Sequence, residues 1–225
     1  MIVVTGASRG LGRAIAERLV ERGHDVTGLA RQMSEAQFPL IPCNVGDQRD
    51  VMAARRRIAA MGKPVTGVVA CAGVASMNLA LTTPGSTVQH IIQTNLIGTI
   101  FTCQAFAPLV IRAGGGAIVT FSTIAVALGL KGESVYAASK AGVEAFTRVF
   151  AREVSAHGVR VNCIAPGPIP TNLTRGVPAD SIADVVTRQV IQIQFTPSAV
   201  SDLVELLLDP RASSLAGVVL PVGGA

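Results

Sequence analysis

The sequence predicts an α/β fold in which helices cover both faces of a seven-stranded parallel sheet. Short apolar runs of about five residues alternate with longer amphipathic segments, which is typical of repeated βαβ units. Hydrophobic residues make up 49% of the 225-residue chain and charged residues only 15%. Strands that are buried on both faces explain such a composition without any contact with lipid. We therefore expect one doubly wound domain over residues 1–225.

The seven strands are predicted in the short apolar runs, at residues 1–5, 25–30, 38–42, 65–70, 116–122, 159–164 and 217–222. Six helices are predicted between them, at residues 10–22, 47–61, 86–112, 134–157, 179–191 and 197–208. The last helix follows Thr196-Pro197, a capping residue and a first-turn proline. The second and third strands are separated only by residues 31–37, too few for a crossover helix, so a turn is expected there.

Composition argues against several other classes of protein. The longest apolar candidate for a membrane span, residues 117–130, is short and is interrupted by hydroxyl-bearing residues, so no membrane segment is expected. The chain begins with a strand and not with a signal peptide, which predicts a cytoplasmic location. Although the net charge is +5, the absence of Trp and the single Tyr leave few platforms for base stacking, so nucleic acid is not expected as a partner.

The cysteines and histidines show no metal-binding or redox spacing. The four cysteines are widely separated in apolar surroundings, where free buried thiols are expected: Cys43, Cys71, Cys103 and Cys163. No metal site is predicted.

Residues 5–12, with the sequence TGASRGLG, join the first predicted strand to the first predicted helix. Gly6, Gly10 and Gly12 allow a sharp turn and a close approach of ligand to backbone. The N-terminus of the following helix directs amides and partial positive charge toward a pyrophosphate, so the pattern predicts a dinucleotide site. The second strand ends at Arg31, where NAD-binding sites usually carry a carboxylate for the ribose 2′-hydroxyl. Arg31 and Arg9 could hold a 2′-phosphate, which predicts NADP(H), or either arginine could simply be solvated.

A second motif, Tyr136-Ala137-Ala138-Ser139-Lys140, lies near the start of a predicted helix. The i, i+4 spacing places Tyr136 and Lys140 on one helical face. A free tyrosine has a pKa of about 10, so proton transfer near neutral pH requires a stabilised phenolate. A neighbouring ammonium group can provide that stabilisation.

With these motifs in this order, the sequence resembles the short-chain dehydrogenase/reductase family in its compact form, over essentially the whole chain. The resemblance rests on the TGASRGLG loop, the Tyr136/Lys140 pair and Asn95 within Gln93-Thr94-Asn95-Leu96. It implies a Rossmann-type fold with Tyr136 as general acid/base. It also implies that Lys140 binds the nicotinamide ribose and lowers the pKa of Tyr136, and that Asn95 positions a water in a proton relay.

The family's catalytic serine stands thirteen positions before the tyrosine, where this chain has Thr123. A threonine hydroxyl can still donate to a carbonyl oxygen, although its methyl group restricts the side chain. Because alternate strand residues face opposite sides, Thr123 is the first candidate for this role and Ser122 the second.

The resemblance also implies cofactor contacts from several loops. The residues expected at the cofactor are Thr5, Gly6, Ser8, Arg9, Gly10, Leu11, Gly12, Arg31, Asn44, Val45, Ala72, Gly73, Tyr136, Lys140, Pro166, Gly167, Ile169 and Thr171. Cys71 and Asn44 replace an asparagine and an aspartate of the family pattern. We expect the first change to remove a hydrogen bond on the adenine side, and the second to keep an acceptor for the adenine amino group.

The implied activity is the NADP(H)-dependent reduction of a ketone or 3-oxoacyl carbonyl to a secondary alcohol, or the reverse reaction. The chain is similar to 3-oxoacyl-acyl-carrier-protein reductases, so the expected substrate is a small molecule or is linked to an acyl carrier, with residues 172–195 covering it. A homodimer or homotetramer built on the helices near 86–112 and 134–157 is also implied, although the C-terminal residues 221–225 lack an aspartate common in relatives. The alternative is a non-catalytic NADP(H)-binding redox sensor on the same fold, for which Thr123 is the best support.

Overall fold

The computed structural model describes residues 1–225 and places all seven strands in one sheet. The strands are β1 (Ile2–Thr5), β2 (Val26–Ala30), β3 (Leu40–Pro42), β4 (Gly67–Ala70), β5 (Gly116–Phe121), β6 (Val159–Ala165) and β7 (Val219–Pro221). Their spatial order is β3-β2-β1-β4-β5-β6-β7, and every neighbouring pair is parallel. The predicted doubly wound α/β fold of Rossmann type is therefore confirmed.

Eight α-helices accompany the sheet: α1 (Gly10–Glu21), α2 (Gln48–Ala60), α3 (Gly85–Ile92), α4 (Gly98–Arg112), α5 (Ala125–Leu128), α6 (Ser134–Val154), α7 (Ala179–Thr187) and α8 (Pro197–Leu208). Short 3-10 turns lie at Ala80–Thr82, Ser155–His157 and Pro210–Ala212. No helix lies between β2 and β3, as predicted.

Two helix predictions need correction. The helix predicted at residues 179–191 ends at Thr187, because the chain turns there to meet the C-terminal segment. The helix predicted at residues 86–112 is divided by a π-helix, Gln93–Ile97, which separates α3 from α4. Such π segments occur frequently at functional sites, and this one contains Asn95.

The sheet separates two apolar cores, and alternate strand residues contribute to opposite ones. Val3 and Val68 belong to the core under α2, α4 and α6, whereas Val4 and Val69 belong to the core under α1 and α8. Each of these side chains is fully buried, which stabilises the fold by about 1.5–3 kcal/mol per residue. Burial on both faces accounts for the apolar composition.

One helical stretch, Gly85–Arg112, is long and apolar enough to cross a membrane by length and composition. It is a longer apolar candidate than residues 117–130, which form β5 and α5. Of the 18-residue segment with the highest mean hydropathy in this stretch, 61% is buried inside the protein. Phe106 and Val110 belong to the core under α2, α4 and α6. Packing against the sheet therefore explains the apolar character of this stretch.

The order of the strands locates the cleft. The chain proceeds from β1 to β3 in one direction across the sheet and from β4 to β7 in the other, so the order reverses between β1 and β4. In doubly wound folds, ligands bind outside the carboxyl ends of the strands at this reversal. The loops that follow β1 and β4 are therefore the first place to look for a site.

Candidate active site

A glycine-rich turn connects β1 to α1 at the carboxyl edge of the sheet. Gly6 and Gly10 have positive φ angles of 71° and 60°, which residues with side chains rarely adopt. A Cβ atom at Gly6 would lie 2.9 Å from the Cα of Ala72, and one at Gly12 would lie 2.5 Å from the carbonyl oxygen of Gly6. Glycine at these positions therefore lets α1, β1 and the loop after β4 approach one another closely.

The N-terminus of α1 receives no cap from a protein side chain. Arg9, the residue before the helix, makes no capping hydrogen bond, and the first turn contains no acidic residue. The free amides and the positive end of the helix dipole favour an anion. A Cβ atom at Gly10 would meet only Thr171, at 3.8 Å, so space remains between the glycine turn and the loop after β6. These residues fit the pyrophosphate of a dinucleotide.

Two arginines flank the glycine turn without ionic partners. Arg9 precedes α1, and Arg31 follows β2, which pairs with β1; both side chains are exposed. The hydroxyl of Ser34 donates to the carbonyl oxygen of Ser8 at 3.2 Å, so the connection between β2 and β3 lies against the turn. Two exposed arginines therefore lie on the two chain segments that adjoin the glycine turn, Arg9 at the start of α1 and Arg31 directly after β2. Leu11, which is also predicted to contact the cofactor, has a partly buried side chain that packs against the core under α1 and α8.

The loop after β4 lies opposite the glycine turn. Thr5 is buried, and its hydroxyl accepts a hydrogen bond from the backbone amide of Ala72 at 3.0 Å, so its side chain fixes this loop. A Cβ atom at Gly73 would lie 3.4 Å from Asn95 Oδ1 and 3.5 Å from Lys140 Nζ. Gly73 therefore lies between the glycine turn and two of the predicted catalytic residues, Asn95 and Lys140.

Asn95 is fully buried in the π-helix, and protein atoms engage most of its side chain. Its Nδ2 donates to the Val74 carbonyl at 2.9 Å and to Ser139 Oγ at 3.0 Å, while its Oδ1 accepts from the Val74 amide at 2.8 Å. Both amide hydrogens are used, which leaves one lone pair on Oδ1 for any further partner. The side chain ties the loop after β4 to α6 and has little capacity left to position a water.

Tyr136 and Lys140 both lie buried in the first two turns of α6. Lys140 Nζ donates to the carbonyl oxygen of Phe121 at the end of β5, at 3.0 Å, and lies 6.0 Å from the centroid of the Tyr136 ring. The i, i+4 spacing thus directs both side chains from the helix toward the carboxyl edge of the sheet.

Burial raises the pKa of the Tyr136 phenol above its usual value, and the nearby Glu133 carboxylate raises it further. A hydrogen bond with the Thr123 hydroxyl opposes this rise. Burial also lowers the pKa of Lys140. The Lys140 ammonium group is bonded to the Phe121 carbonyl, and the lowering of the Tyr136 pKa by Lys140 stays a prediction.

The hydroxyl groups of Thr123 and Ser122 have different partners. Thr123 lies near Tyr136 and opposes the rise of its pKa, and its Oγ1 accepts from the amide of Ala125 at 3.2 Å. Ser122 is buried and donates to Glu144 Oε1 on α6 at 2.7 Å. Of the two hydroxyls predicted as catalytic candidates, that of Thr123 influences Tyr136, whereas that of Ser122 is engaged in an interior hydrogen bond.

The residues predicted after β3 lie further from this centre. Asn44 Oδ1 accepts from the amide of Gly46 at 3.2 Å, which leaves its second lone pair and its amino group available to an adenine. Val45 is buried, and its side chain packs closely against Gly98: a Cβ atom at Gly98 would lie 2.8 Å from Val45 Cγ2. A contact from Val45 to a cofactor is therefore restricted to its backbone.

The loop after β6 covers the glycine turn. Thr171 faces Gly10, while Ile169 is buried in the core on the α1 side. Thr174 Oγ1 donates to the Ile169 carbonyl at 3.0 Å and accepts from the Thr171 amide at 3.2 Å, which shapes the end of the loop. At its start, the Pro166 carbonyl accepts from the amide of Ile124 at 3.1 Å, which joins this loop to the residue after Thr123.

The family model for short chain dehydrogenases matches residues 1–181. The chain belongs to the short-chain dehydrogenase family. It is 35% identical to the acetoacetyl-CoA reductase of Synechocystis over 229 residues, covering 100% of this chain and 95% of that protein. It is 32% identical to the 3-oxoacyl-acyl-carrier-protein reductase of Escherichia coli, with 99% and 95% coverage. The solved structure of ligand-free aldohexose dehydrogenase from Thermoplasma acidophilum superposes with a TM-score of 0.90 at 29% identity, covering 99% of this chain and 92% of that one.

As a short-chain dehydrogenase, the protein is an oxidoreductase of a family that uses a nicotinamide cofactor. Three polar residues at its site were not singled out from the sequence: Glu133, Glu144 and Gln189. Glu133 lies three residues before Tyr136 and Glu144 lies four after Lys140, so helical spacing could have placed both near the pair. Gln189 meets the loop after β6 only through the tertiary fold, and no local pattern marks it.

Proposed function

We propose that this short-chain dehydrogenase uses NADP(H) to reduce the carbonyl of a ketone or 3-oxoacyl substrate to a secondary alcohol, with Tyr136 as the general acid. The observation that carries the proposal is the placement of buried Tyr136 beside buried Lys140, whose Nζ lies 6.0 Å from the centroid of the Tyr136 ring and borders Gly73 of the loop after β4. Thr123 lies near enough to influence the pKa of Tyr136, and two neighbouring hydroxyl donors can hold one carbonyl oxygen between them.

In this proposal each side chain of the site has one role. Thr123 orients the substrate carbonyl by donating a hydrogen bond to its oxygen, and Tyr136 transfers its proton to that oxygen as negative charge develops there. Lys140, held by the Phe121 carbonyl beside Gly73, is directed at the place where the nicotinamide ribose would bind. When bound, the nicotinamide supplies the hydride. Asn95 keeps the loop after β4 and α6 at a fixed separation.

The electrostatics keep the Tyr136 phenol protonated at neutral pH, which is the state that proton donation requires. A proton donor must be protonated at the working pH, and burial raises the pKa of the Tyr136 phenol. Oxidation of an alcohol needs the phenolate instead, which the buried site and Glu133 disfavour.

The choice of NADP(H) rests on Arg9 and Arg31. Both guanidinium groups are exposed, lack ionic partners and flank the turn where a ribose phosphate would lie. The residue directly after β2 is Arg31 and not a carboxylate that would repel a 2′-phosphate. Replacing Arg31 is therefore the direct test of cofactor preference.

Two features support an acyl substrate. The relatives that match along nearly the whole chain include reductases of acetoacetyl-CoA and of 3-oxoacyl groups on acyl carrier protein. Apolar side chains are also exposed on loops at the carboxyl edge of the sheet, namely Met77, Leu79, Leu81 and Leu173. The amide of Asn78 donates to the Gly132 carbonyl at 2.9 Å, so the first of these loops lies beside the turn that precedes Tyr136. An acyl chain fits such an apolar rim.

The proposal is tested by mixing purified protein with NADPH or NADH and a panel of carbonyl compounds, including acetoacetyl-CoA, and following the loss of absorbance of the reduced cofactor. We expect turnover with NADPH and 3-oxoacyl thioesters. The variant Tyr136→Phe should lose turnover while binding NADPH as the wild type does. A protein that binds NADPH but reduces no carbonyl, or a Tyr136→Phe variant of unchanged rate, would reject the mechanism.

We also propose that the protein is a cytoplasmic homodimer or homotetramer assembled through α4 and α6. On α6, Phe146 and Phe150 stack with ring centroids 5.0 Å apart, and Val149 beside them is 57% exposed. An apolar group of this kind on a helix face favours association. Light scattering on the wild type and on Val149→Asp tests it, and a wild type that is monomeric at micromolar concentration would reject it.

A further inference from the structure

We propose that Gln189 and Gln194 form a clamp that positions the β6 loop, residues 166–170, for cofactor binding, an inference that rests on the proposed NADP(H) function. Both glutamines lie in the segment between α7 and α8. Neither belongs to a motif, and neither has a role in the chemistry described above.

The carboxamide of Gln189 is held in one orientation. Gln189 is 3% exposed, and its Nε2 donates to the carbonyl oxygens of Ile191 at 3.2 Å and Ile193 at 2.9 Å. Because both amide hydrogens are used, the group cannot exchange its oxygen and nitrogen without losing both bonds. Its Oε1 is consequently fixed on the opposite side, where it is the buried side-chain polar atom that has no hydrogen-bond partner.

That oxygen lies directly against Gly167. A Cβ atom built at Gly167 would overlap Gln189 Oε1, and a Cβ atom at Gly223 would lie 3.2 Å from the Gln189 carboxamide carbon. The side chain is therefore wedged between the β6 loop and the C-terminal segment. A buried carbonyl oxygen without a donor is destabilising, and such groups call for an explanation in terms of function or strain. Holding the loop at a set position is the explanation that these contacts support.

Gln194 contacts the next residue of the same loop. Its Nε2 donates to the Pro168 carbonyl at 3.1 Å. The segment that carries both glutamines is itself anchored, since the Ile191 amide donates to the Gly223 carbonyl at 2.8 Å. Gly167 and Pro168 are thus both supported from one rigidly attached stretch of chain.

The position of the β6 loop matters for the cleft. The loop begins at Pro166, which is hydrogen bonded to Ile124, and leads to Thr171, which faces Gly10. A shift of Gly167 or Pro168 therefore changes the space between the glycine turn and Thr123. Because the clamp lies in the segment expected to cover the substrate, it would also link the substrate cover to the cofactor loop.

Three matched variants test the clamp: Gln189→Leu, Gln194→Leu and, as control, Gln192→Leu. The Nε2 of Gln192 donates to the Thr187 carbonyl at 3.1 Å, away from the β6 loop. We expect the Kd and KM for NADPH to rise about five- to tenfold in the first two variants, with a smaller change in kcat at saturating NADPH, and to stay unchanged in the control. Unchanged NADPH affinity in folded Gln189→Leu and Gln194→Leu would overturn the proposal.

A second experiment uses the overlap at Gly167. Gly167→Ala and Gln189→Ser should each weaken NADPH binding and lower the Tm, and in the double variant both losses should be smaller than the sum of the single losses, because the two changes remove one contact. Losses that simply add would show that this contact does not position the loop.

Hydrogen exchange separates failure of the clamp from failure of the proposed function. The amides of residues 169–174 should exchange faster in Gln189→Leu and Gln194→Leu than in Gln192→Leu, whether or not the wild type binds NADPH. A wild type that binds no NADPH rejects the proposed function but leaves this exchange result to decide whether the loop is held. Equal exchange in all three variants rejects the clamp.

Discussion

The substitutions Ser122→Ala and Thr123→Val should separate a stabilising hydroxyl from a catalytic one at the end of β5. Ser122 is 3% exposed, and its hydroxyl donates to the Glu144 carboxylate at 2.7 Å. A hydrogen bond to a charged acceptor contributes about 1.5–3 kcal/mol, and 1 kcal/mol shifts the Tm of a domain of this size by about 2–4 °C. Ser122→Ala should therefore lower the Tm by about 3–12 °C while kcat stays close to that of the wild type.

Thr123→Val should have the opposite profile. Valine keeps the shape of threonine but removes the hydroxyl that lies near Tyr136 and accepts from the Ala125 amide. Loss of one donor to a developing oxyanion lowers kcat by about 10²–10³-fold, whereas the loss of this part-buried hydrogen bond changes stability by only about 0.5–1.5 kcal/mol. Thr123→Ser should retain most of the activity, because it keeps the donor.

The assay measures kcat with NADPH and acetoacetyl-CoA beside the thermal midpoint of each variant. Ser122→Ala combined with Glu144→Gln provides the control, since the two changes remove partners of one hydrogen bond and their effects on stability should not add. If Ser122→Ala loses activity at an unchanged Tm while Thr123→Val stays active, Ser122 is the catalytic hydroxyl and the assignment made from the contacts is wrong.

Three further outcomes are expected. Arg31→Asp should raise the KM for NADPH at least about tenfold and change that for NADH little, because a carboxylate repels the 2′-phosphate; equal changes for both cofactors would reject the assignment. Glu133→Gln should lower the pKa of Tyr136, where burial and then Glu133 raise it, and so move the alkaline limb of the reduction pH profile to lower pH; an unmoved limb would contradict this. Cys71 should react slowly with iodoacetamide at neutral pH, since burial raises its thiol pKa to about 12, and rapid labelling would oppose that.

The sequence was sufficient for the fold because its signals are local and repeated. Strands buried on both faces are apolar at most positions, so β1 and β4 could be located from short runs of apolar residues. The absence of a helix between β2 and β3 followed from chain length. The π-helix could not be predicted in this way, because it interrupts a continuous helical pattern and its Asn95 side chain bonds to Val74 and Ser139, which are distant in sequence.

Within the site as well, features set by local sequence could be predicted, whereas features set by tertiary contacts could not. The roles of Gly6 and Gly10 in the turn could be predicted from the sequence, because the local backbone there has positive φ angles, which glycine adopts most readily. Thr123 was preferred to Ser122 because successive residues leave a strand on opposite sides, and this preference stays a prediction. In the structure the Ser122 hydroxyl donates to Glu144, whereas Thr123 lies near Tyr136. By contrast, the contact of Gln189 with Gly167 joins residues 22 positions apart (189 − 167) and depends on how the chain returns past β6.

The charge state of Tyr136 illustrates why spacing alone is insufficient. The i, i+4 relation to Lys140 specifies a shared helix face but neither the burial of that face nor the direction of the ammonium group. In the folded protein both residues are buried, and Lys140 binds the Phe121 carbonyl, so desolvation is the largest influence on the Tyr136 pKa. Desolvation disfavours the phenolate, so the phenol keeps its proton at neutral pH, and the Glu133 carboxylate acts in the same direction. Tyr136 is therefore in the protonation state that the proposed proton transfer to a carbonyl oxygen requires.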